Sequence, residues 1–164
     1  MSSQVLSAQQ LAAERHLPAW IRLLRAHAAV TRELSARLET QHGLTLSDYD
    51  VLVQLYFAED RRLRRIDLAR TVLLTASGIT RLLDGLERAG WVEKGRCASD
   101  ARVTYAVLTE AGGRKFEEAR ASHLGDIEEL FGARFSTEEL ETLAELLGRL
   151  PLAPTSSACT GEED

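Results

Sequence analysis

Residues 63–108 read LRRIDLARTVLLTASGITRLLDGLERAGWVEKGRCASDARVTYAVL, and the order of the patterns within this stretch decides the fold. Two short helices, a glycine break and a hairpin with a polar tip follow one another without spare residues. We predict the first helix over residues 66–72 and a turn at residues 73–74. The apolar side chains that this helix offers to the core are Ile66, Leu68, Ala69 and Val72.

The second helix is predicted to begin at Thr75 and to run to residue 89. A threonine hydroxyl at this position accepts a hydrogen bond from an amide of the first turn. Apolar residues at three- and four-residue spacing form one buried stripe, namely Ile79, Leu82, Leu83 and Leu86. The opposite face carries Ser77, Thr80, Arg81, Asp84 and Arg88. Gly90 ends the helix, because a left-handed cap suits a residue without a Cβ.

A β-hairpin follows this helix. Its first strand begins at Trp91, and alternation in its second strand places Val103, Tyr105 and Val107 on one face. The connection over residues 95–102 is polar and has little reason to be buried. Helix, turn, helix and hairpin in this order predict a winged helix-turn-helix, which places one helix in a DNA groove. A small domain with a solvated charged edge is the alternative, but several independent signals coincide here.

The same stretch, together with LTLSDYDVLVQL at residues 44–55, closely resembles the MarR family of bacterial transcription regulators. The likeness is detailed over residues 34–113. Its most specific pieces are LERAGW after the second helix, SDAR in the wing and LTEAG at the entry to the next helix. Gly78 and Gly85 within the second helix depart from the family pattern, and each costs up to about 1 kcal/mol relative to alanine.

The rest of the chain is predicted to be almost wholly helical, so the fold class is mainly α with a small antiparallel β-hairpin. We expect a short helix over residues 7–17 that meets Pro18, and then a longer helix to residue 40. The apolar stripe of that longer helix is Leu23, His27, Val30, Leu34 and Leu38. The predicted N-caps of the later helices are Thr45, Thr109 and Ser136, with Asp48 and Glu139 three residues after the first and last.

The resemblance implies that the first helix and the last two helices make the interface of an intertwined homodimer. We therefore divide the chain into N-terminal dimerisation helices with an effector crevice (1–44), a winged helix-turn-helix module (45–108), C-terminal dimerisation helices (109–151) and a disordered tail (152–164). The last helix has a stripe of Leu140, Leu143, Leu147 and Leu150 and stops before Pro151. Two recognition helices would read half-sites of a pseudo-palindromic operator about 34 to 36 Å apart.

Charge is distributed unevenly along the chain. The 164 residues carry a net charge of −5, yet Arg61–Arg102 holds ten Lys or Arg and five acids, so this segment is +5 and the remainder is −10. Such asymmetry concentrates attraction for phosphate on the winged module. The chain has no apolar run near the about 20 residues that span a bilayer, and its N-terminus lacks the pattern of a signal peptide, which predicts a cytoplasmic protein.

The predicted contacts to double-stranded DNA follow from side-chain chemistry. Arg81 is the candidate for direct readout, because a guanidinium can pair with guanine O6 and N7. Arg102 in the wing is expected to reach the minor groove, and the resemblance implies that Asp100 orients the wing arginines. The full set of candidate DNA-binding residues is Arg70, Thr75, Ser77, Thr80, Arg81, Arg96, Asp100 and Arg102.

A small aromatic or anionic effector is a further expectation, because MarR-like proteins often hold one where the dimerisation helices meet the winged module. The candidate lining residues are Trp20, Arg25, His27, Tyr49 and Asp50. Aromatic residues at helical spacing are also typical of a core. The residues themselves leave both alternatives open, a ligand crevice and a repressor without a ligand.

Other chemistries find little support in the sequence. The histidines His16, His27, His42 and His123 are scattered and show no zinc spacing. No cofactor is predicted, and no nucleophile, base and acid set indicates an enzyme. Cys97 beside Arg96 is either a stabilised thiolate or an incidental cysteine. A winged-helix scaffold for protein interaction is the rival function, for which apolar residues on the exposed face of the second helix would be the sign.

Overall fold

Helices make up most of the chain in the computed structural model, which describes residues 16–72, 76–96 and 104–151. The helices are α1 (His16–His42), α2 (Leu46–Phe57), α3 (Arg65–Thr71), α4 (Ala76–Arg88), α5 (Glu110–Leu130) and α6 (Thr137–Gly148). The strands are β1 (Arg62–Arg64), β2 (Val92–Arg96) and β3 (Thr104–Leu108). Single 3-10 turns lie at Glu59–Arg61 and Gly132–Arg134. None of the helices described is long and apolar enough to cross a membrane.

The helix starts predicted at Thr45, Thr109 and Ser136 are confirmed, whereas the predicted N-cap Thr75 lies outside the described residues. Thr45 and Asp48 form a complete capping box at the start of α2, as do Ser136 and Glu139 at the start of α6. At α5, the amide of Gly112 donates to Thr109 Oγ1 at 3.0 Å. The last helix ends at Gly148, before Pro151. The predicted helix over residues 7–17 falls mostly outside the described residues, and so do the turn at 73–74 and the tail from residue 152.

The sheet has three strands in the order β1-β3-β2, all antiparallel. The predicted hairpin is therefore present, and β1 adds an edge strand that the sequence did not predict. Three residues, RLR, are too few to show a period of two, and β1 forms because Leu63 pairs with Ala106 of the hairpin. Tyr105 and Val107 are half-buried, whereas Ala106 and Leu108 on the other face are buried.

The core lies where α2, α4 and α5 meet the sheet. Its largest fully buried side chains are Leu38, Leu44, Val51, Leu52, Leu55, Leu68, Leu83, Leu86 and Phe116. The prediction for α3 was right for Leu68 and Ala69 but wrong for Ile66, which is 62% exposed. Two residues span about 200° of an α-helix, so Ile66 points away from the face that buries Leu68.

The segments LERAGW and LTEAG contact each other where α4 ends and α5 begins. Gly90, at φ +76°, ends the turn after α4, and its carbonyl accepts a hydrogen bond from Thr109 Oγ1 at 2.8 Å. The amide of Thr109 donates to the carbonyl of Trp91 at 3.1 Å. The end of α4 and the start of β2 are thereby joined to the start of α5.

Candidate nucleic-acid interface

Helix α4 presents one buried face and one polar face. Ile79, Leu83 and Leu86 are buried, because residues three and four apart share a side of the helix. Thr80, Arg81 and Arg88 are exposed on the other side. Among the side chains described over residues 78–88, the exposed ones are polar or charged. This face can donate hydrogen bonds to phosphates and to base edges.

The structure places some of the predicted DNA-binding residues and leaves others undescribed. Arg70 is exposed in the last turn of α3, and Arg81 is exposed on α4, the helix that packs against α3. Ser77 lies in α4 and Arg96 at the end of β2, but their side chains are outside the described part. Thr75, Asp100 and Arg102 fall wholly outside the described residues, so their roles stay predictions.

Two cations of the basic segment are held by groups that the sequence did not identify as their partners. Lys94 on β2 lies 2.9 Å from Glu87 Oε2 and 3.6 Å from Asp84 Oδ1 of α4. Arg88 Nε donates to the carbonyl of Asp84 at 3.1 Å. Pairing between helix and strand is invisible in a count of charges, because it depends on how the hairpin folds back along α4.

The arginines around β1 also have partners within the protein. The Arg61 guanidinium lies over the Tyr56 ring at 5.1 Å from its centroid. Arg62 lies over Tyr105 at 5.4 Å and pairs with Asp60 at 3.3 Å. An open cavity of about 420 Å³ adjoins this strand, lined by Gln54, Phe57, Ala58, Glu59, Asp60, Arg62, Leu63, Arg64, Asp67 and Tyr105. Its lining mixes both signs of charge.

The five residues predicted to line an effector crevice lie on two helices. Trp20, Arg25 and His27 are on exposed positions of α1, with Trp20 53% exposed. Tyr49 is buried in α2, its ring 4.5 Å from that of His123. Asp50 is half-buried beside Gln54, and burial raises the pKa of its carboxyl. Tyr49 therefore belongs to the core, and the other four residues are at least partly accessible within one protomer.

A polar junction joins α1 to α5 near Tyr49. Arg37 lies 2.8 Å from Asp126 Oδ1 and 3.0 Å from Glu129 Oε2, and His42 Nε2 lies 2.6 Å from Ser122 Oγ. His123 is buried, its Nδ1 has no hydrogen-bond partner, and burial lowers its pKa. Neither this use of Arg37 nor the junction was predicted from the sequence, since the partners lie 80 to 92 residues apart in the chain.

The terminal helices leave large apolar side chains uncovered. The exposed ones on or beside α1, α5 and α6 are Trp20, Ile21, Leu24, Leu124, Phe131, Phe135, Leu146 and Leu150. Leu140, Leu143 and Leu147, the other members of the predicted α6 stripe, are only half-buried. The apolar stripe predicted for the last helix is thus left partly open by the single chain.

Comparison with known proteins gives consistent matches. A sequence model of the MarR family matches residues 42–103. The HTH-type transcriptional regulator MhqR of Bacillus subtilis is 30% identical over 85% of this chain and 93% of its own length. The HTH-type transcriptional repressor YetL of the same organism is 32% identical over 66% of this chain and 64% of its own length. These relatives are named as transcription regulators and not as enzymes.

Solved structures agree with the sequence matches. AbsC, a MarR family transcriptional regulator from Streptomyces coelicolor, superposes with a TM-score of 0.75 at 28% identity, covering 88% of this chain and 93% of AbsC. Sco3205, a MarR family regulator from the same organism in complex with DNA, gives a TM-score of 0.77 at 25% identity, covering 90% and 88%. The winged module, the flanking helices and these matches agree: the chain belongs to the MarR family of DNA-binding transcription regulators.

Proposed function

We propose that this protein is a homodimeric repressor that binds a pseudo-palindromic operator. In this proposal α4 enters the major groove, with Arg81 pairing with guanine, and the wing over residues 95–102 enters the minor groove through Arg102. Thr80 and Ser77 contact bases or phosphates, and Arg70, Thr75 and Arg96 fix the register on the backbone. Asp100 orients the wing arginines.

The observation that carries this proposal is the polar, cationic outer face of α4 over residues 78–88. A scaffold for protein interaction would present apolar side chains there, whereas the exposed residues include Thr80, Arg81 and Arg88. The complex of the related Sco3205 with DNA supports the same use of the module. The name of YetL, a transcriptional repressor, supports repression over activation.

The uncovered apolar face of the terminal helices supports the dimer. Trp20, Ile21 and Leu24 lie within two turns of α1 and are 53%, 44% and 48% exposed. Single exposed apolar residues are ordinary, but a cluster of large ones marks an interaction surface. A second copy of the chain offers the same apolar surface, so a two-fold interface would bury both.

We further propose that a ligand controls operator binding. A small aromatic or anionic effector would bind near Trp20, Arg25, His27 and Asp50, in a crevice between the dimerisation helices and the winged module. It would weaken operator binding only if it has different affinities for the DNA-competent dimer and for an alternative spacing of the recognition helices. Tryptophan fluorescence tests whether the ligand binds, because Trp20, one of the two tryptophans, lies on α1.

One set of experiments tests both DNA binding and dimer assembly. Duplexes are first selected from a random pool by the wild-type protein, and affinity is then measured across salt concentrations. We expect a dimer by sedimentation and a steep fall in affinity with salt, because each neutralised phosphate releases counterions. A stable monomer would refute the dimer, and affinity independent of salt would refute phosphate contact by the basic segment.

Roles of the two arginines are separated by base substitutions in the selected duplex. Arg81→Ala should cost about 1 to 3 kcal/mol and relax preference at one base position. Arg102→Ala should weaken binding to most sequences, or penalise A·T-rich flanks if Arg102 enters a narrow minor groove. Intact base preference in Arg81→Ala, with preference at a central position lost in Arg102→Ala, would make the wing the reading element.

A further inference from the structure

Lys94 connects the β2–β3 hairpin to helix α4. It lies on β2 opposite Ala106 of β3, and its ammonium is 2.9 Å from Glu87 Oε2 and 3.6 Å from Asp84 Oδ1. Both carboxylates project from α4, one turn apart. A lysine held between two carboxylates of another element makes charge-assisted contacts that join the two elements.

A phosphate contact is the other role that a lysine in this segment can have. For that, the ammonium of Lys94 would have to leave both carboxylates, and Asp84 and Glu87 would then remain unpaired close to the DNA. The side chain of Glu87 is only 21% exposed, so its charge is partly shielded from water and depends more on the lysine. Glu87 also raises the pKa of Lys94 by accepting its hydrogen bond, which agrees with a stable pair.

The position of Lys94 along β2 determines which part of the hairpin its ion pair with Glu87 restrains. Val92, two residues earlier on the same face of the strand, is 2% exposed and anchors the base of the hairpin in the core. Lys94 is the next residue on that face toward the wing tip. The pair with Glu87 therefore restrains the hairpin at a point beyond its buried base. Without this restraint, a small rotation of the hairpin about its base would displace its far end most.

We propose that Lys94 is a positioning residue, which holds the β2–β3 hairpin at a fixed angle to α4 through Glu87 and Asp84 and does not itself contact DNA. This inference rests on the proposed function, in which α4 and the wing bind one duplex together. Fixing the angle in the free protein lowers the ordering cost on binding. The residue acts through the placement of the hairpin, whose two strands are connected by the segment that contains Asp100 and Arg102.

The test uses the full chain and a duplex selected by the wild-type protein. The variants are Lys94→Met, Lys94→Arg, and the exchanged pair Lys94→Glu with Glu87→Lys, which keeps a cation between two carboxylates. We expect Lys94→Met to weaken binding about two- to five-fold, the range for one partly exposed ion pair, with an unchanged salt slope. Lys94→Arg and the exchanged pair should bind close to the wild-type level, and thermal unfolding checks that each variant is folded.

Three results would overturn the inference. A salt slope reduced by about 0.9 per protomer in Lys94→Met would show a lost phosphate contact. An exchanged pair that binds no better than Lys94→Met would show that the contact with Glu87 is not what matters. Unchanged affinity in Lys94→Met would show that the wing needs no such restraint. Failure of the wild-type protein to bind any duplex would instead refute the proposed function, and this inference with it.

Discussion

Among the glycines of the described residues, Gly112 is the position where one added methyl group should disturb the molecule most. It lies in the first turn of α5 and is buried against the turn that joins α4 to β2. A Cβ there would lie 2.8 Å from Leu108 Cδ1, 2.9 Å from the carbonyl carbon of Trp91 and closer still to the Trp91 oxygen. That oxygen already accepts the hydrogen bond of the Thr109 amide, so it has little freedom to move.

Two opposing contributions to the free energy of unfolding set the size of the change in Gly112→Ala. Overpacking a closed site costs about 1 to 3 kcal/mol, and the upper end applies because the obstacle is a backbone carbonyl. Alanine regains about 1 kcal/mol over glycine within a helix. Gly112→Ala should therefore lower the free energy of unfolding by about 2 kcal/mol, which corresponds to about 4 to 8 °C in Tm for a chain of this size.

Two other glycines of α5 supply matched controls for urea and thermal unfolding. A Cβ at Gly125 would meet nothing within 4 Å, so Gly125→Ala should stabilise the protein by up to about 1 kcal/mol. A Cβ at Gly113 would lie 3.1 Å from Arg61 Nη1, the end of a flexible side chain, so Gly113→Ala should fall between the two. Equal stabilities of Gly112→Ala and Gly125→Ala would refute the close approach at Trp91.

Three further outcomes follow from the described contacts. Arg37→Met should lower Tm at low salt and lower it less at high salt, because it removes ion pairs with Asp126 and Glu129 that salt screens. Arg114→Met is the control, since Arg114 makes only a long, exposed ion pair with Glu110 among the salt bridges described. Burial lowers the pKa of His123 below 6.5. Because the unfolded chain then binds the proton more readily than the folded protein, Tm should fall as the pH drops below 6.5. His123→Phe should make Tm less dependent on pH in this range, whereas His16→Phe, at an exposed position, should not. Trp20→Lys should weaken the dimer in sedimentation, whereas Phe57→Lys, at a position 69% exposed on α2, should leave it intact; equal weakening would argue against an interface on α1.

Local signals predicted the helices well, because capping and periodicity act over a few residues. Thr45, Thr109 and Ser136 cap the helices that they were expected to cap, and Gly90 adopts the expected positive φ. Two features depended on distant residues and were missed: β1, which forms by pairing with β3, and Arg37, whose partners lie on α5. Ile66 was assigned wrongly for a different reason, since its distance of two residues from Leu68 already placed it on the opposite face.

The charge of the basic segment shows why a sequence count overstates the cations available to DNA. The winged segment has an excess of five positive charges, yet Lys94 is paired with acids of α4, and Arg61 and Arg62 lie over aromatic rings. Arg70, Arg81 and Arg88 remain on exposed positions of α3 and α4. Of these, the Nε of Arg88 is already bonded to the carbonyl of Asp84. Within the described residues we therefore expect phosphate to be attracted by fewer cations than the ten Lys and Arg of the segment, with Arg81 on the exposed face of α4 among them.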